Sequence, residues 1–351
     1  MELPEKIDIQ IIVPAYNVEK YLDDFFEGLL RQSIQNFILI AVDDASTDNT
    51  FSILSKYKNI FDERMILIRN QTNLGPSQAR NKGLDEAVKH PAKYITFLDP
   101  DDMIDSDYLR DLYDNAEKYQ AGITISGLQR FEDGTGHIIC TEMVNYPDKF
   151  IGDVSKCDDF AYINPCTYAK LYLFDAIRNI RFREMKRSED TCYLFEILPL
   201  LKTAKFTNHA YYHYRIRNTS LSGSITEEKY TSMHERFTAM MGKFDTKEYR
   251  PFKDMFETQV FIRSSVGGVC RYAFGDMRKT KDLCERELIF LNSNIPGWRT
   301  NKYLSFHRYM NKGIKPLALR ICALMYKWHI FPLFVYFYYF MSQVLKKDIR
   351  A

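Results

Sequence analysis

The feature that most constrains the fold of this chain is the alternation of short apolar runs with amphipathic stretches between residues 7 and 128. The apolar runs are rich in Ile, Val and Phe, which is typical of buried strands. The stretches between them carry apolar residues at helical spacing, as in Tyr21, Phe25 and Leu29. Strands that alternate with helices predict βαβ units and a mainly parallel sheet, and therefore an α/β fold.

The predicted elements cover most of the chain. Strands are expected at 7–13, 37–42, 65–68, 94–98 and 123–126, with helices at 18–31, 50–57, 77–88 and 108–118. The pattern loosens between residues 128 and 218, where 132–137 has the composition of a hairpin turn. From Glu227 onward the sequence predicts helices, at 227–243, 250–274, 280–292 and 314–347.

A polar cluster follows each of the first four predicted strands. The clusters are residues 14–17, 43–48, 70–75 and 99–102. In open α/β sheets, ligands bind at the carboxyl ends of the strands. The sequence therefore predicts that these clusters meet at one edge of the sheet and form the site.

Two of the strand ends carry adjacent carboxylates, which repel one another unless a cation or a donor-rich ligand satisfies them. Mg²⁺ or Mn²⁺ bound together with a diphosphate needs only one or two protein oxygens, which Asp99 and Asp101 could supply. The alternative is turn and helix-cap chemistry, with Asp102 or Asp105 capping the next helix.

The second strand end has a similar alternative, because Ser46 or Asp48 is expected to cap the helix that follows. Capping does not account for Asp43 and Asp44, and a carboxylate there can accept from the N–H of a pyrimidine base. Arg80, on the third predicted helix, is either a cation for phosphate oxygens or a solvated helix residue.

In order and spacing, the four clusters resemble the motifs of the family 2 glycosyltransferases. The matching segments read VPAYN, VDDASTD, NLGPSQARNKG and FLDPDD. The resemblance implies a GT-A fold, a Rossmann-like mainly parallel sheet that binds nucleotide-diphospho-sugars, with a helical C-terminal region. It implies an inverting, metal-dependent hexosyl- or N-acetylhexosaminyltransferase that uses a UDP-sugar and Mn²⁺ or Mg²⁺.

The resemblance also implies roles for single residues. Asp44 or its neighbour Asp43 would contact the base, Asp99 the ribose and Arg80 the diphosphate. Asp101 would hold the metal with Asp102 in support, and the expected metal ligands are Asp99, Asp101 and Asp102. The residues expected to bind the nucleotide-sugar are Pro14, Ala15, Tyr16, Asn17, Asp43, Asp44, Asn73, Arg80, Asp99, Pro100, Asp101, Arg215, Arg217 and Ser222.

Two positions depart from the family pattern. Ala45 stands where the family more often has Gly, and Pro100 stands where Ser is common. Neither change is expected to abolish binding. Ala45 argues against a required positive φ at that position.

Two segments further along the chain also resemble the family. Glu189 and Asp190 open a predicted helix at the family's distance from the DPDD segment, which implies Asp190 as general base and Glu189 as orienter or acceptor contact. Helix capping by Ser188, with acids in the first turn, is the local alternative. The segment 212–220 resembles the family's Y-x-Y-R-x-R-x-x-S stretch, whose Arg215, Arg217 and Ser220 or Ser222 would close over the diphosphate.

Other classes of protein fit the sequence less well. A dinucleotide-dependent dehydrogenase needs G-x-G-x-x-G after the first strand, where this chain has PAYN, and the G-K-[ST] of a P-loop enzyme is absent. A non-catalytic sugar-nucleotide-binding scaffold would tolerate loss of Asp99, Asp101 and Asp190, and all three are present.

Charge is distributed unevenly along the chain. Residues 301–351 carry nine Lys or Arg and one acid, a net charge of +8 in a chain whose total is +2. The segment 328–345 has no charged residue, contains Pro332 and makes a poor membrane span but a plausible interfacial helix. We expect this tail to bind an anionic membrane surface, or else to form a packing helix or a homo-oligomer contact. Nucleic-acid binding is not expected, because the rest of the chain is acidic.

The remaining composition bounds the setting. Seven Cys without C-x-x-C spacing argue against a disulfide scaffold or a zinc site and favour a reducing cytosol. The polar start of the sequence predicts no signal peptide. The expected organisation is a GT-A catalytic domain at 1–220 (nucleotide-binding 1–128, acceptor side 129–220), a helical region at 221–312 and a basic aromatic tail at 313–351. The resemblance suggests a glycan or lipid-linked acceptor in bacterial cell-surface polysaccharide synthesis, with the enzyme cytoplasmic and peripheral at the inner face of the membrane.

Overall fold

A computed structural model of the chain describes residues 7–144, 148–185, 187–217, 225–306 and 314–345. The chain divides into two compact units. The first is Met1–Lys156 with Asn164–Glu184 and Glu196–Arg217, and the second is Cys157–Ile163 with Met185–Phe195 and Asn218–Ala351. The main boundary thus follows Arg217, and two short segments from the middle of the chain belong to the second unit.

Within its described residues, the first unit contains one mixed sheet. Its strands are β1 (Ile9–Ala15), β2 (Phe37–Asp43), β3 (Met65–Arg69), β4 (Tyr94–Phe97), β5 (Met103–Ile104), β6 (Ile123–Glu132), β7 (Ile138–Glu142), β8 (Phe150–Ile151), β9 (Lys170–Leu173) and β10 (Ala204–Ile216). The strand order is β3-β2-β1-β4-β9-β6-β10-β5, with β7 paired to β6 and β8 paired to β10.

The first four strands form the parallel part of the sheet that the sequence predicts. β1 pairs in parallel with β2 and β4, and β2 pairs in parallel with β3. Every residue of β2 is buried, as its unbroken apolar run predicts. The register sets Ala15 beside Asp43 and Asp43 beside Arg69, so the ends of these three strands share one edge.

The second half of the sheet is mixed and was largely missed by the sequence pattern. β9 lies between β4 and β6 and is antiparallel to both, whereas β6 and β10 are parallel. β9 and β10 begin near buried lysines, and Lys170 donates to the carbonyls of Asn164 (3.0 Å) and Cys166 (2.6 Å). A buried Lys interrupts the apolar run by which a strand is recognised in the sequence. These hydrogen bonds offset the free-energy cost of burying its ammonium group.

Helices of the first unit follow their strands as predicted. They are α1 (Leu22–Leu30), α2 (Thr50–Phe61), α3 (Pro76–Ala87), α4 (Tyr108–Tyr119), the short α5 (Phe174–Ile177), and α6 (Glu189–Leu201) from Glu196 onward. The predicted hairpin turn is confirmed: the Glu132 N–H donates to the His137 carbonyl (3.0 Å), and Gly134 and Gly136 both have positive φ.

The second unit is helical, as expected for the C-terminal region. Its elements after residue 225 are α7 (Glu227–Met241), α8 (Lys253–Val260), a π-helical segment (Phe261–Gly268), α9 (Val269–Ala273), α10 (Thr280–Asn294), α11 (Ile314–Lys327) and α12 (Phe331–Leu345). Its core contains the buried Glu287 carboxylate, which accepts from Ser265 Oγ (2.7 Å) and from His234 Nε2 (2.9 Å). A buried acid at a helix interface is tolerated because these donors satisfy it.

The continuous helix predicted at 314–347 is instead two helices. His329 has φ of +57°, and the Ile330 N–H donates to the Met325 carbonyl (2.8 Å), which is the pattern of a helix ending in a left-handed residue. Pro332 then lies in the first turn of α12, where its missing N–H costs nothing. Among the helices of the described ranges, none has the length and apolarity needed to cross a bilayer.

Two helical glycines provide a test of the packing between α3 and the sheet. A Cβ added at Gly83 would lie 2.5 Å from Ile12 Cγ2 on β1, whereas nothing lies within 4 Å of the corresponding position at Gly28 on α1. We expect Gly83→Ala to destabilise the chain by about 1–3 kcal/mol through overpacking. Gly28→Ala should stabilise it by about 0.5–1 kcal/mol, because it removes a helical glycine. Thermal unfolding followed by circular dichroism measures both, and equal shifts in Tm would contradict this packing.

Candidate active site

The loops that follow β1 and β2 are tied together by side-chain hydrogen bonds. The Asn17 N–H donates to Ser46 Oγ (3.1 Å), and Asn17 Oδ1 accepts from the Thr47 N–H (2.9 Å). Asn17 has φ of +51°, a conformation that Asn tolerates better than most residues. The first two predicted clusters therefore meet, as expected from parallel strands.

The other predicted nucleotide-contact residues at the ends of β1 and β4 differ in exposure. Ala15 is buried at the end of β1, Pro14 is half-buried, and Tyr16 is 44% exposed. Pro100 is buried within the DPDD loop. Tyr16 is thus exposed at the end of β1, whereas Ala15 and Pro100 are buried.

Ala45 overturns one expectation from the sequence. Its φ is +60°, in the left-handed region favoured by Gly, although the presence of Ala argued against a required positive φ. Neighbouring bonds impose the turn: the Asp44 N–H donates to the Ala15 carbonyl (2.8 Å), and the Ser46 N–H donates to Asp43 Oδ1 (3.3 Å). The alanine methyl costs about 1–2 kcal/mol in this conformation, which these bonds offset.

Asp44 is buried and joins the loop after β2 to the loop after β3. Its carboxylate accepts from Asn70 Nδ2 (2.7 Å) and from the backbone N–H groups of Leu74 (3.0 Å) and Gly75 (2.7 Å). Asp43 is fully buried, and its Oδ2 lies 3.1 Å from Arg69 Nε. Asp44 is therefore supplied with hydrogen-bond donors by the chain, whereas Asp43 Oδ2 is paired by charge with Arg69 but accepts no hydrogen bond among the described residues.

The loop after β3 leads directly into α3. Gly75, with φ of +85°, occupies the N-cap position, and Pro76 follows as the first helical residue. The exposed Asn73 accepts at Oδ1 from the Gly75 N–H (3.0 Å). Neither of the two predicted caps, Ser46 or Asp48, occupies the N-cap of α2, which is Asn49; Asp48 Oδ1 accepts from the Thr50 N–H (3.0 Å) from one position before the cap.

Arg80 projects from α3 to the end of β4. Its Nη2 donates to Asp99 Oδ1 (2.9 Å), and its guanidinium lies 5.6 Å from the centre of the Phe182 ring. Asn81 anchors this ring by bonding both the N–H (2.7 Å) and the carbonyl (2.9 Å) of Phe182. Arg80 is therefore a buried cation paired with Asp99, not a solvated helix residue.

Asp101 is paired with the guanidinium of Arg217, just beyond β10. Arg215 lies on the same strand end: its Nε donates to the Asp101 carbonyl (2.8 Å), and its Nη1 donates to Asp133 Oδ1 (3.1 Å). Tyr21 lies beneath both guanidiniums: the centre of its ring is 4.9 Å from the Arg215 guanidinium and 5.3 Å from the Arg217 guanidinium.

Asp102 is buried and joins the DPDD loop to β10. Its Oδ2 accepts from the Tyr212 hydroxyl (2.7 Å), and its Oδ1 accepts from the Arg215 N–H (2.8 Å). The Tyr212 oxygen in turn accepts from the Asp99 N–H (3.2 Å). Neither Asp102 nor Asp105 caps α4, so these contacts argue against the helix-cap alternative.

The three carboxylates crowd one another. Burial, and then the charge of Asp99, raises the pKa of Asp101, whereas Arg217 and Arg215 lower it. Burial raises the pKa of Asp102 well above its usual value, and the charges of Asp101 and Asp99 add to the rise. Burial is thus the main reason why the charged forms of Asp101 and Asp102 are disfavoured, and a nearby positive charge favours those forms.

This donor set fits a divalent ion held jointly with a diphosphate. In the part of the chain that the structure describes, no group of three or more His, Cys, Asp or Glu side chains is arranged to bind a metal by itself. Asp99 and Asp101 offer hard carboxylate oxygens, and one or two of these suffice when phosphates complete the coordination. Both oxygens of Asp102 accept from chain donors, which suits a supporting position.

The remaining predicted residues lie elsewhere. Glu189 and Asp190 belong to the second unit, where they form the first turn of α6 after Ser188, whose φ is +62°. Ser220 and Ser222 lie outside the described residues. His213, on β10, contacts Asp105, with Nε2 and Oδ1 2.7 Å apart.

Several site residues were not singled out from the sequence. Tyr212 bonds two groups of the DPDD loop, and its ring stacks on Tyr168 at a centroid distance of 4.6 Å. Asp133, at the hairpin turn, accepts from Tyr21 (3.2 Å) as well as from Arg215. The alternation in Y-x-Y-R-x-R could have indicated a strand with aromatic and basic side chains, but it could not show which loop they meet.

Comparisons with known proteins indicate the family to which this chain belongs. Residues 10–181 match the family model described as glycosyl transferase family 2. The chain is 32% identical over 271 residues to the glycosyltransferase GlyA of Streptococcus pneumoniae serotype 4, covering 72% of this chain and 38% of that protein. It is 33% identical over 229 residues to the minor teichoic acid biosynthesis protein GgaB of Bacillus subtilis, covering 62% of this chain and 24% of GgaB. The chain thus spans well under half the length of these two relatives.

A solved structure also has the same fold. The crystal structure of S. aureus TarS residues 1–349 in complex with UDP-GlcNAc matches with a TM-score of 0.68 at 18% identity, covering 97% of this chain and 93% of that one. The match confirms the predicted GT-A fold with a helical C-terminal region.

Removing one hydroxyl tests the link between the DPDD loop and β10. We expect Tyr212→Phe to leave a buried oxygen of Asp102 without its donor, which costs about 1–3 kcal/mol of stability. Tyr211→Phe is the matched control, because the structure shows no partner for that hydroxyl among the described residues; it should change stability by about 0.5 kcal/mol or less. Urea unfolding measures both variants, and a similar loss in the two would contradict the assigned role of Tyr212.

Proposed function

Because residues 10–181 form a family 2 glycosyltransferase domain, we propose that this chain moves a sugar from a nucleotide-diphosphate donor to a hydroxyl of a glycan or lipid-linked acceptor. The observation that carries the proposal is the meeting of Asp99 and Asp101 with Arg80 and Arg217 at the carboxyl edge of the sheet. Carboxylates for a cation and guanidiniums for phosphate oxygens are the groups that a metal–diphosphate complex requires.

The donor proposed is a UDP-sugar carrying a hexosyl or N-acetylhexosaminyl group. S. aureus TarS binds UDP-GlcNAc in its crystal structure, which supports this choice. The base would lie by Asp43 and Asp44, with Tyr16 and Asn73 as exposed contacts, and Arg80 would face the diphosphate. The acceptor would be selected by residues 129–220 and the helical region.

The proposed reaction inverts the anomeric centre in one displacement. The acceptor oxygen forms a bond to the anomeric carbon as the bond from that carbon to the diphosphate oxygen breaks. Asp190 takes the proton of the acceptor hydroxyl, and Glu189 orients the acceptor. Arg80, Arg215 and Arg217 bind the negative charge that develops on the departing diphosphate. Asp99 and Asp101 would hold a Mn²⁺ or Mg²⁺ ion, which would supply further positive charge there.

The proposed pathway is bacterial cell-surface polysaccharide synthesis, such as that of a capsule or a teichoic acid. GgaB, by its name, acts in minor teichoic acid biosynthesis, which supports a teichoic acid among the candidate acceptors. A protein-linked glycan is another candidate acceptor. A scaffold that binds a sugar-nucleotide without turnover is the non-enzymatic alternative, and the assay below separates it from an enzyme.

Two substitutions test the catalytic roles. We expect Asp101→Asn and Asp190→Asn each to lower sugar transfer by about 100-fold or more. UDP release from a panel of UDP-sugars with Mn²⁺ and candidate acceptors provides the assay. Only Asp101→Asn should also weaken UDP binding, because Asp190 acts on the acceptor.

The matched control is Asp175→Asn, which removes an exposed carboxylate on α5 and should leave transfer unchanged. Wild-type turnover in both Asp101→Asn and Asp190→Asn would refute the assigned roles. UDP-sugar binding without transfer to any acceptor would favour the scaffold.

We further propose that the C-terminal helices bind an anionic membrane surface at the inner face of the cell membrane. The two helices and the turn between them expose large apolar side chains, namely Ile314, Leu317, Ile321, Trp328, Leu333, Tyr336, Phe337, Phe340 and Val344. On α12, residues 333, 337, 340 and 344 recur at the spacing of one helix face. The net charge of +8 over residues 301–351 complements anionic headgroups.

Vesicle flotation tests this surface. Substituting Leu333, Phe337 and Phe340 with Gln removes the centre of the exposed face on α12, and membrane partition should fall about tenfold or more. Point substitutions are preferable to removing the tail, because Tyr326 on α11 packs on Phe261 in the core of the second unit. The control replaces the exposed Leu30, Ile60 and Val88 with Gln.

The lipid composition of the vesicles shows whether binding requires anionic headgroups. Wild type and control should float with vesicles containing phosphatidylglycerol and remain in solution with phosphatidylcholine alone. If wild type stays in solution with both lipids and forms an oligomer that the α12 variant loses, the surface is a subunit interface instead.

A further inference from the structure

In the first unit, two carboxylates of the DPDD loop are each neutralised by an arginine. Arg80 holds Asp99 at 2.9 Å from its guanidinium, and Arg217 holds Asp101. These are the carboxylates proposed for the divalent ion. A cation that approaches either of them therefore meets a positive charge already in place.

The two arginines are not equally fixed. The Arg80 side chain is 5% exposed and projects from within α3, whereas the Arg217 side chain is 22% exposed. Arg217 follows Ile216, the last residue of the β10 ladder, so that its movement breaks no strand pairing. Arg217 Nε is buried and has no hydrogen-bond partner among the described residues, which leaves donor capacity for a ligand.

The neighbouring Arg215 marks the contrast. It is held by Asp133, by the Asp101 carbonyl and by the ladder between β10 and β6. For Arg217, Asp101 is the acidic partner that the structure shows among the described residues. Of Arg80, Arg215 and Arg217, Arg217 is thus the arginine that can leave its carboxylate partner with the least disturbance of the fold.

We infer that Arg217 is an internal counter-cation for Asp101, and that the donor diphosphate removes it, so that Asp101 becomes available to a divalent ion only when the nucleotide is bound. This inference rests on the proposed function. The exchange conserves charge, because Arg217 trades a carboxylate for a phosphate oxygen as Asp101 trades a guanidinium for the ion. Arg217 therefore imposes an order of binding, in addition to its contact with the diphosphate.

The consequence is opposite in sign for two ligands. Replacing Arg217 with a neutral residue should strengthen the binding of free Mn²⁺, because Asp101 loses its competing cation. The same change should weaken the binding of UDP, because the diphosphate loses a guanidinium. A residue that only stabilised the fold would move both affinities in the same direction.

Titration of Mn²⁺, followed by the electron paramagnetic resonance signal of the free ion, measures the first effect, and calorimetry with UDP measures the second. In wild type, we expect Mn²⁺ to bind about 100-fold more tightly with UDP present than without it. In Arg217→Gln, Mn²⁺ alone should bind about tenfold more tightly than to wild type, and UDP about tenfold more weakly. Arg217→Lys, which keeps the charge, should stay near wild type for Mn²⁺ alone.

Arg178→Gln is the matched control, because it removes a surface arginine that follows α5. The first residue of α5, Phe174, donates its N–H to the Lys93 carbonyl at the start of β4. The Mn²⁺ affinity of Arg178→Gln should not change. Circular dichroism checks that the variants are folded, and Arg217→Met provides a second neutral substitution if Arg217→Gln does not fold.

The inference is overturned if free Mn²⁺ binds wild type as tightly as in the presence of UDP, or if the folded neutral variants bind Mn²⁺ alone no better than wild type. In either case, normal UDP binding and transfer would leave the proposed function intact. Failure of wild type to bind UDP would instead refute the proposed function, and the inference with it.

Discussion

Three carboxylates within four residues, at the end of a buried strand, set a constraint that the rest of the first unit must meet. Asp99, Asp101 and Asp102 are half-buried or buried; burial raises the pKa of Asp101 and Asp102, and the negative charges of the neighbouring carboxylates add to the rise. Isolated charges cannot remain in such a place without partners. The partners come from α3 and from the end of β10, so both elements must reach the end of β4.

The negative charges of the three carboxylates are balanced by different kinds of partner, and these partners distinguish their roles. Asp102 is satisfied by a hydroxyl and a backbone N–H, neither of which can leave without disturbing β10. Asp99 and Asp101 are instead paired with guanidiniums, Asp99 with Arg80 and Asp101 with Arg217. Asp102 therefore joins the loop to the sheet, whereas Asp99 and Asp101 each depend on an arginine side chain from another element.

The accuracy of the sequence predictions differs between the two halves of the sheet. β1 to β4 and α1 to α4 lie within four residues of their predicted ends, because continuous apolar runs and helical spacing are local signals. β9 and β10 were not assigned, since their Tyr, His, Arg and Lys residues conceal the apolar alternation. The φ expected for Ala45 from its residue type was also wrong. Its positive φ is imposed by the hydrogen bonds of its neighbours to Asp43 and Ala15, and not by the propensity of alanine.

The sequence by itself determined the parallel half of the sheet, the meeting of four polar clusters at its edge, and the acids and bases from which a site could be built. These follow from the period of apolar residues and from the rule that parallel strands end on one side. Only the tertiary structure decided which group satisfies which charge. Tyr212 and Asp102 are 110 positions apart, and Arg217 and Asp101 are similarly distant along the chain. Such pairs depend on strand order and register, and these are decided by the packing of the whole sheet because no local pattern encodes them.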